Sequence, residues 1–261
     1  MGRSRNSHAF FVFHHFIIIY RAIFGSLWHG AVMSKEAIEK VIARAFAKVQ
    51  EAYKADERTA ERSTLLVFPR YTHSASNTKL RTRMCEQELR FAFAEALCEE
   101  FRGSNLSYSI ETPTHGRYLL SVSNTSTQHG LNDQLPCISE YGESGCFDLV
   151  IYEGKDIAYL IEFKARNPKI GQYAKDLLKL SNPIEDGKEG KGNAHRYFIQ
   201  LVESSDRLTI RSIRDKLTQL SGEEKYTLGK KPVRCLCYSL RHHSEGEPEG
   251  KKIIDLTFPL R

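Results

Sequence analysis

The chain has 261 residues, of which 41% are hydrophobic and 27% charged, and its formal net charge is +6. That length and composition exclude a small scaffold that needs disulfides or a structural metal to fold, and describe an ordinary soluble globular protein. The modest positive excess is compatible with a polyanionic partner such as nucleic acid but does not establish one, since such an excess is more often just a solvated surface.

The segment AFFVFHHFIIIYRAIF, Ala9 to Phe24, is strongly apolar, but His14, His15 and Arg21 interrupt it. A membrane span needs about 20 apolar residues with few charges. A signal peptide needs a small-residue cleavage site after its apolar core. Neither pattern fits cleanly. Met33 opens MSKEAIEKVIARAF, which reads as the start of a soluble helix. Residues 1–32 are therefore read as an apolar extension outside the fold, produced by an upstream start site. A membrane or signal segment, or a buried apolar helix, stays open.

From Ser34, a suitable N-cap, the residues Ile38, Val41, Ile42, Ala45, Phe46, Val49 and Tyr53 recur at three- and four-residue steps, which predicts an amphipathic helix. Residues 33–80 are read as this helix and a linker. Thr64 to Phe68 is a short strand candidate, and the Ser/Thr/Asn-rich stretch Thr72 to Thr78 reads as a loop.

A domain covering 81–261 follows. Its first helix is expected from Arg81 to Phe101, with Leu89, Ala92, Phe93, Ala96, Leu97 and Phe101 on one face and Gly103 as the stop. At about 100° per residue, Glu86 falls about 60° from Leu89, inside the apolar face, and Glu88 about 100° away, at its edge. An acid inside an apolar face needs a partner or a metal.

LSYSIE (Leu106 to Glu111) and RYLLSVS (Arg117 to Ser123) are expected to be strands either side of a Pro-Thr-His-Gly turn, with residues 124–145 as a long loop. Two strands in FDLVIYEGKDIAYLIEFKARN come next. Then follow a helix from Lys169 to Leu180, a loop from Asn182 to Ala194, a strand from Arg196 to Glu203 and a helix from Asp206 to Leu220. A strand from Val233 to Leu240, a loop from Arg241 to Lys252 and a strand over IIDLTF complete the chain. This order predicts an α/β protein, a mixed sheet flanked by helices.

Cys85, Cys98, Cys137, Cys146, Cys235 and Cys237 include no CxxC pair. Cys235 and Cys237 would lie on one face of a strand and read as buried free thiols, and the pattern suits a reducing compartment and hence a cytoplasmic location.

Chemistry is expected in FDLVIYEGKDIAYLIEFKARN. Period-two alternation puts Asp148, Val150 and Tyr152 on one face of the first strand, and Ala158, Leu160, Glu162 and Lys164 on one face of the second. If Gly154-Lys155-Asp156 is a three-residue loop, Asp148 lies directly opposite Glu162; a two-residue loop would send them to opposite faces. Two opposed carboxylates repel unless a positive charge lies between them. Lys164 supplies one, and a divalent cation would supply more. The plain alternative is an Asp–Lys–Glu ion pair on a solvated sheet face. Against it stand the apolar residues on both sides of the acids, the inward-facing Glu86, and the basic helix with Lys169, Lys175 and Lys179.

Gln172 and Tyr173 read as packing or solvent, Lys175 and Lys179 as solvated, and Asp176 as a local pair or cap. His195 reads as a surface residue, and His242 and His243 as loop.

Asp148, followed by Glu162-Phe163-Lys164 at the end of the next strand, resembles the PD-(D/E)XK nuclease superfamily. A preceding helix with Glu86 and a following helix match its αβββαβ, restriction-endonuclease-like core, over roughly Arg81 to Glu203. Phe147 stands where the family name has proline. The resemblance implies Mg²⁺-dependent phosphodiester hydrolysis, with Mn²⁺ as a substitute. Asp148 and Glu162 would be metal ligands, Glu86 an accessory acid acting on the metal or its waters, with Glu88 as runner-up, and Lys164 would position or activate the attacking water. It implies DNA as substrate, with RNA as the alternative, and leaves endo- against exonuclease and a homodimer open. An inactive nucleic-acid-binding or structural module of the same fold, and an interaction domain with a chance acidic pair, are the competing readings.

Overall fold

A computed structural model describes residues 35–54, 64–74, 77–119, 135–187, 192–227, 229–241 and 251–260. The chain divides into two compact units, Met1–Ile38 and Glu39–Arg261. Of the first, only Lys35–Ile38 is described. The apolar stretch Ala9 to Phe24, the cap Ser34 and the pair His242 and His243 lie outside the described residues.

The second unit is built on a seven-stranded mixed sheet in the order β4-β3-β5-β6-β7-β8-β9. The strands are β3 (Leu106–Leu119), β4 (Cys137–Ile138), β5 (Glu143–Glu153), β6 (Asp156–Ala165), β7 (His195–Ser204), β8 (Val233–Arg241) and β9 (Lys252–Phe258). Strands β3, β5 and β6 run antiparallel in turn, β6, β7 and β8 run parallel, and β9 returns antiparallel to β8. The parallel crossovers carry α3 (Ile170–Ser181) and α4 (Arg207–Ser221).

Helices cover both faces. Phe93 of α2 (Glu86–Glu100) packs edge-on to Phe163 of β6, with ring centroids 5.4 Å apart. On the same face Phe46 of α1 (Lys35–Lys54) stacks on Tyr238 of β8. On the opposite face Tyr173 of α3 lies 5.3 Å from Phe198, and Ile213, Leu217 and Leu220 of α4 join Cys235 and Cys237 in one buried cluster. The central strands are covered on both sides, which is why β5, β6 and β7 read as near-continuous apolar runs. Both buried thiols are pushed well up by burial, as expected for inert core cysteines.

Several expectations are corrected. Thr64 to Phe68 is not a strand, and the Ser/Thr/Asn-rich stretch is not a simple loop. A two-stranded antiparallel ribbon stands there, β1 (Arg70–Ser74) and β2 (Asn77–Thr82). It is hydrogen-bonded to no strand of the main sheet. Helix α2 starts at Glu86 rather than Arg81, because residues up to Thr82 belong to the ribbon. The two strands expected around Pro-Thr-His-Gly are one strand, β3, with an irregularity: Thr114, His115 and Gly116 stand against Gly145 alone.

That irregularity is held by the segment expected to be a loop after α3. Pro183–Asp186 forms a 3₁₀ turn, and the buried Glu185 accepts from the backbone N–H of His115 (2.8 Å) and Gly116 (2.9 Å) and from the Tyr118 hydroxyl. A Cβ at residue 116 would lie 2.8 Å from the Tyr118 oxygen and 2.9 Å from Glu185 Oε1, so any side chain there would displace the Tyr118 hydroxyl or the Glu185 carboxylate.

The β5–β6 turn is also tighter than expected. Glu153 pairs with Asp156, leaving a two-residue loop, Gly154-Lys155. Gly154 has φ +62°, the geometry of a primed turn with glycine first. A bulge at Ala158 restores the lost residue: Tyr152 pairs with Ile157 but Ile151 with Tyr159. From there Val150 pairs with Leu160 and Leu149 with Ile161, the register that sets Asp148 opposite Glu162.

Candidate functional site

The β5–β6 ladder stops at Leu149 and Ile161, and Asp148 occupies the position where the next pair would form. Its Oδ2 accepts from the Phe163 N–H at 2.7 Å, so a carboxylate completes what a ladder carbonyl would have done. Its Oδ1 pairs with the guanidinium of Arg90 on α2, which also holds Glu111.

Glu162 is 2% exposed. Its Oε1 pairs with the Lys179 ammonium of α3. Lys179 also donates to the Cys146 carbonyl at 2.6 Å and lies 3.3 Å from Asp176 Oδ1 and 5.6 Å from the centre of the Phe147 ring. Lys164, next but one on β6, lies 2.8 Å from Asp176 Oδ2 and 3.3 Å from Glu86 Oε1, and donates to the Phe163 carbonyl at 3.1 Å. Asp176 thus links two ammonium groups. Glu86, the first residue of α2, reaches the cluster from the other face of the sheet.

The electrostatics follow from burial. Burial raises the Glu162 carboxyl well above its ordinary value; Asp176 and Asp148 push the same way, and Lys179 and Lys164 oppose them. Burial works against the charge on Lys164, but Asp176, Glu162 and Glu86 outweigh it and hold the ammonium charged. Lys179 is held the same way, by Glu162 and Asp176. Three buried acids, Asp148, Glu162 and Asp176, face three buried cations, Arg90, Lys164 and Lys179; Glu86 and Glu111 add negative charge at the more exposed rim.

The expected residues are placed as follows. Asp148 and Glu162 share a face, and Lys164 and Glu86 form an ion pair. Each carboxylate has its own cationic partner, Arg90 for Asp148 and Lys179 for Glu162, and among the described residues no group of three or more His, Cys, Asp or Glu is arranged to hold a metal ion. Glu88 is the third residue of a capping box at the start of α2, its carboxylate accepting from the N–H of the N-cap residue Cys85 at 3.0 Å. Lys179, expected to be solvated, is 1% exposed. Lys175 is half-buried and Gln172 exposed. Tyr173 is core and donates to Gln200 at 2.7 Å, and the exposed His195 stacks on Tyr159.

Arg90, Asp176 and Lys179 are cluster members whose place the sequence did not reveal. A signal existed for each: Arg90 is one helical turn after the inward-facing Glu86, and Asp176 and Lys179 are three apart on a helix with little exposed surface.

A comparison of this chain with protein families, curated proteins and solved structures gives no match.

Proposed function

We propose that this chain is a metal-dependent nuclease of the PD-(D/E)XK kind, with a restriction-endonuclease-like core, that hydrolyses phosphodiester bonds in DNA. One observation carries the reading. Two carboxylates on adjacent strands, Asp148 and Glu162, are set opposite each other where the ladder ends, with Lys164 beside them and Glu86 paired to it. The order α2-β3-β5-β6-α3-β7 supports the core assignment, since the short β4 adds only an edge.

The donor set fits Mg²⁺ or Mn²⁺ in kind: it is made of hard oxygens, and Oε2 of both Glu162 and Glu86 carries no hydrogen bond among the described residues. Asp148, Glu162 and Glu86 would hold the ion. When bound, it supplies a more acidic water and positive charge against a phosphoryl oxygen. The protein's own part is positional. Arg90 and the Phe163 N–H fix the Asp148 carboxylate. Asp176 and Glu86 hold the Lys164 ammonium, which as a charged donor orients the attacking water rather than taking its proton. Lys179 aligns Glu162.

The match of three buried acids with three buried cations favours a second reading, a self-neutralised module of the same fold that does not cleave. Nicking of supercoiled plasmid in Mg²⁺ separates the two, with an RNA substrate run in parallel. The nuclease reading expects nicking that Asp148→Asn and Glu162→Gln each reduce by about 10²-fold or more without loss of the folded state. Wild-type protein that leaves plasmid and RNA intact, or folded variants at the wild-type rate, would reject it.

A further inference from the structure

We propose that Arg166 is a phosphate-binding residue, whose guanidinium takes the nucleic-acid phosphate next to the one at the site. That the side chain takes an external anion stands on the geometry. That the anion is a nucleic-acid phosphate rests on the nuclease reading.

Two non-glycine residues among the described ones have a left-handed backbone, Glu111 at φ +51° and Arg166 at φ +66°. This region suits glycine, and asparagine next. For a long side chain it is unfavourable, and it persists only where the surroundings over-determine it. Both residues flank the charge cluster. Glu111 stands between the pairs Ile110–Leu149 and Thr112–Phe147, level with Asp148, and Arg166 follows Lys164 by two residues.

The side chain of Glu111 is used inside the fold, where its carboxylate holds Arg90. Arg166 differs. Its backbone is fixed on both sides by β7: its N–H donates to the Leu201 carbonyl at 2.7 Å, and its carbonyl accepts from the Gln200 amide at 2.6 Å. Gln200 is 1% exposed and is itself oriented by the Tyr173 hydroxyl. The next two residues are fixed by α4. Lys216 donates to the Asn167 side chain and to the Pro168 carbonyl, and Asn167 donates to Ser212 at 3.1 Å. The turn out of β6 is therefore rigid.

The Arg166 side chain takes no part in this. It is exposed and makes no hydrogen bond or ion pair among the described residues. The fold uses a left-handed residue here, which glycine or asparagine would supply without strain, and it has no use for the guanidinium. The partner of that group lies outside the chain. A guanidinium has five donors, no acceptor and a fixed charge, so the partner is an anion, and its fork matches phosphate. From Phe163 to Lys175 the sequence carries Lys164, Arg166, Lys169 and Lys175 and no Asp or Glu, so no neighbour in sequence competes for the group. Two residues of strand span about 7 Å, which puts the anion beside Lys164.

The test compares wild type with Arg166→Asn, which keeps a residue at ease in the left-handed region and removes the charge. Chemical denaturation should give Arg166→Asn a midpoint at or above that of wild type. Binding of a fluorescent DNA duplex to the full chain, without divalent ions and over a range of salt, should weaken about tenfold. The slope of log K against log salt should fall by about 1. Arg166→Lys should keep the wild-type slope. So should Arg102→Gln, which removes an exposed arginine beyond the far end of α2. In plasmid nicking, Arg166→Asn should raise KM with kcat little changed. An unchanged slope in Arg166→Asn, or an equal fall in Arg102→Gln, overturns the proposal and leaves the nuclease reading standing. A clearly lower midpoint in Arg166→Asn, with DNA binding unchanged, assigns the side chain to the fold and also overturns it. Wild type that binds the duplex with the expected slopes but nicks nothing keeps the Arg166 contact and rejects the nuclease reading. Wild type that neither binds nor nicks overturns both.

Discussion

Asp176 holds two ammonium groups, one from β6 and one from its own helix, and Lys179 in turn holds Glu162. This chain of buried pairs is the residue-scale reason Glu162 tolerates burial; Asp148, the other acid of the central hairpin, is held separately by Arg90 and the Phe163 N–H. A buried pair broken on one side leaves an uncompensated charge, so Lys179→Met should destabilise the fold by about 3–5 kcal/mol. Removing Glu162 as well, in Lys179→Met/Glu162→Met, should recover most of that loss. Chemical denaturation of the two variants measures the coupling, and a double variant as unstable as the single one would deny that the pair is what Lys179 serves. The sequence showed the alternation that aims Asp148, Glu162 and Lys164 to one side, because period two is a local property of a strand. It did not show that Lys179 and Arg90 are buried: a helix lysine or arginine ordinarily reads as solvated, and only the neighbouring acid reverses that.

Among the elements, the helices and the central strands were legible because each buries an apolar face or two. The ribbon, a separate two-stranded sheet, was not. The β5–β6 hairpin is the instructive case. A three-residue loop was the condition on which the two acids would meet, and the chain meets it differently, by a two-residue turn at Gly154-Lys155 with a bulge at Ala158. Both routes add the same single residue, so the face of every later side chain agrees. The β8–β9 pair offers a test at this scale. Arg234 donates to Asp255 through Nε at 3.0 Å and Nη2 at 2.9 Å, with Lys252 at 2.6 Å. The Arg234 hydrogen bonds, with help from Lys252 and against partial burial, hold the Asp255 carboxyl down at about 2, below its ordinary 3.8. A depressed carboxyl contributes stability that is present above its unfolded value and lost as pH falls through its folded one. Wild type should therefore lose an advantage over Asp255→Asn as pH falls from about 4 to about 2. Denaturation midpoints of the two proteins across that interval check this; a constant gap would assign the pair no role.

At the scale of the molecule, α1 and α2 lie on one face of the sheet and α3 and α4 on the other, and the charge cluster occupies the strand ends where α2 and α3 both reach β5 and β6. No helix among the described residues is long and apolar enough to cross a membrane. The α/β class and the mixed sheet were readable from element order alone. The charge balance was not, because it depends on residues from α2, β5, β6 and α3 meeting in space. That balance is where the metal-site and self-neutralised readings part, and titration calorimetry with Mn²⁺ in the presence of a short DNA duplex addresses it most directly. The account predicts saturable Mn²⁺ binding that Asp148→Asn and Glu162→Gln each weaken by about tenfold or more. Wild-type protein that binds no Mn²⁺, or binds it as well after both substitutions, would contradict it.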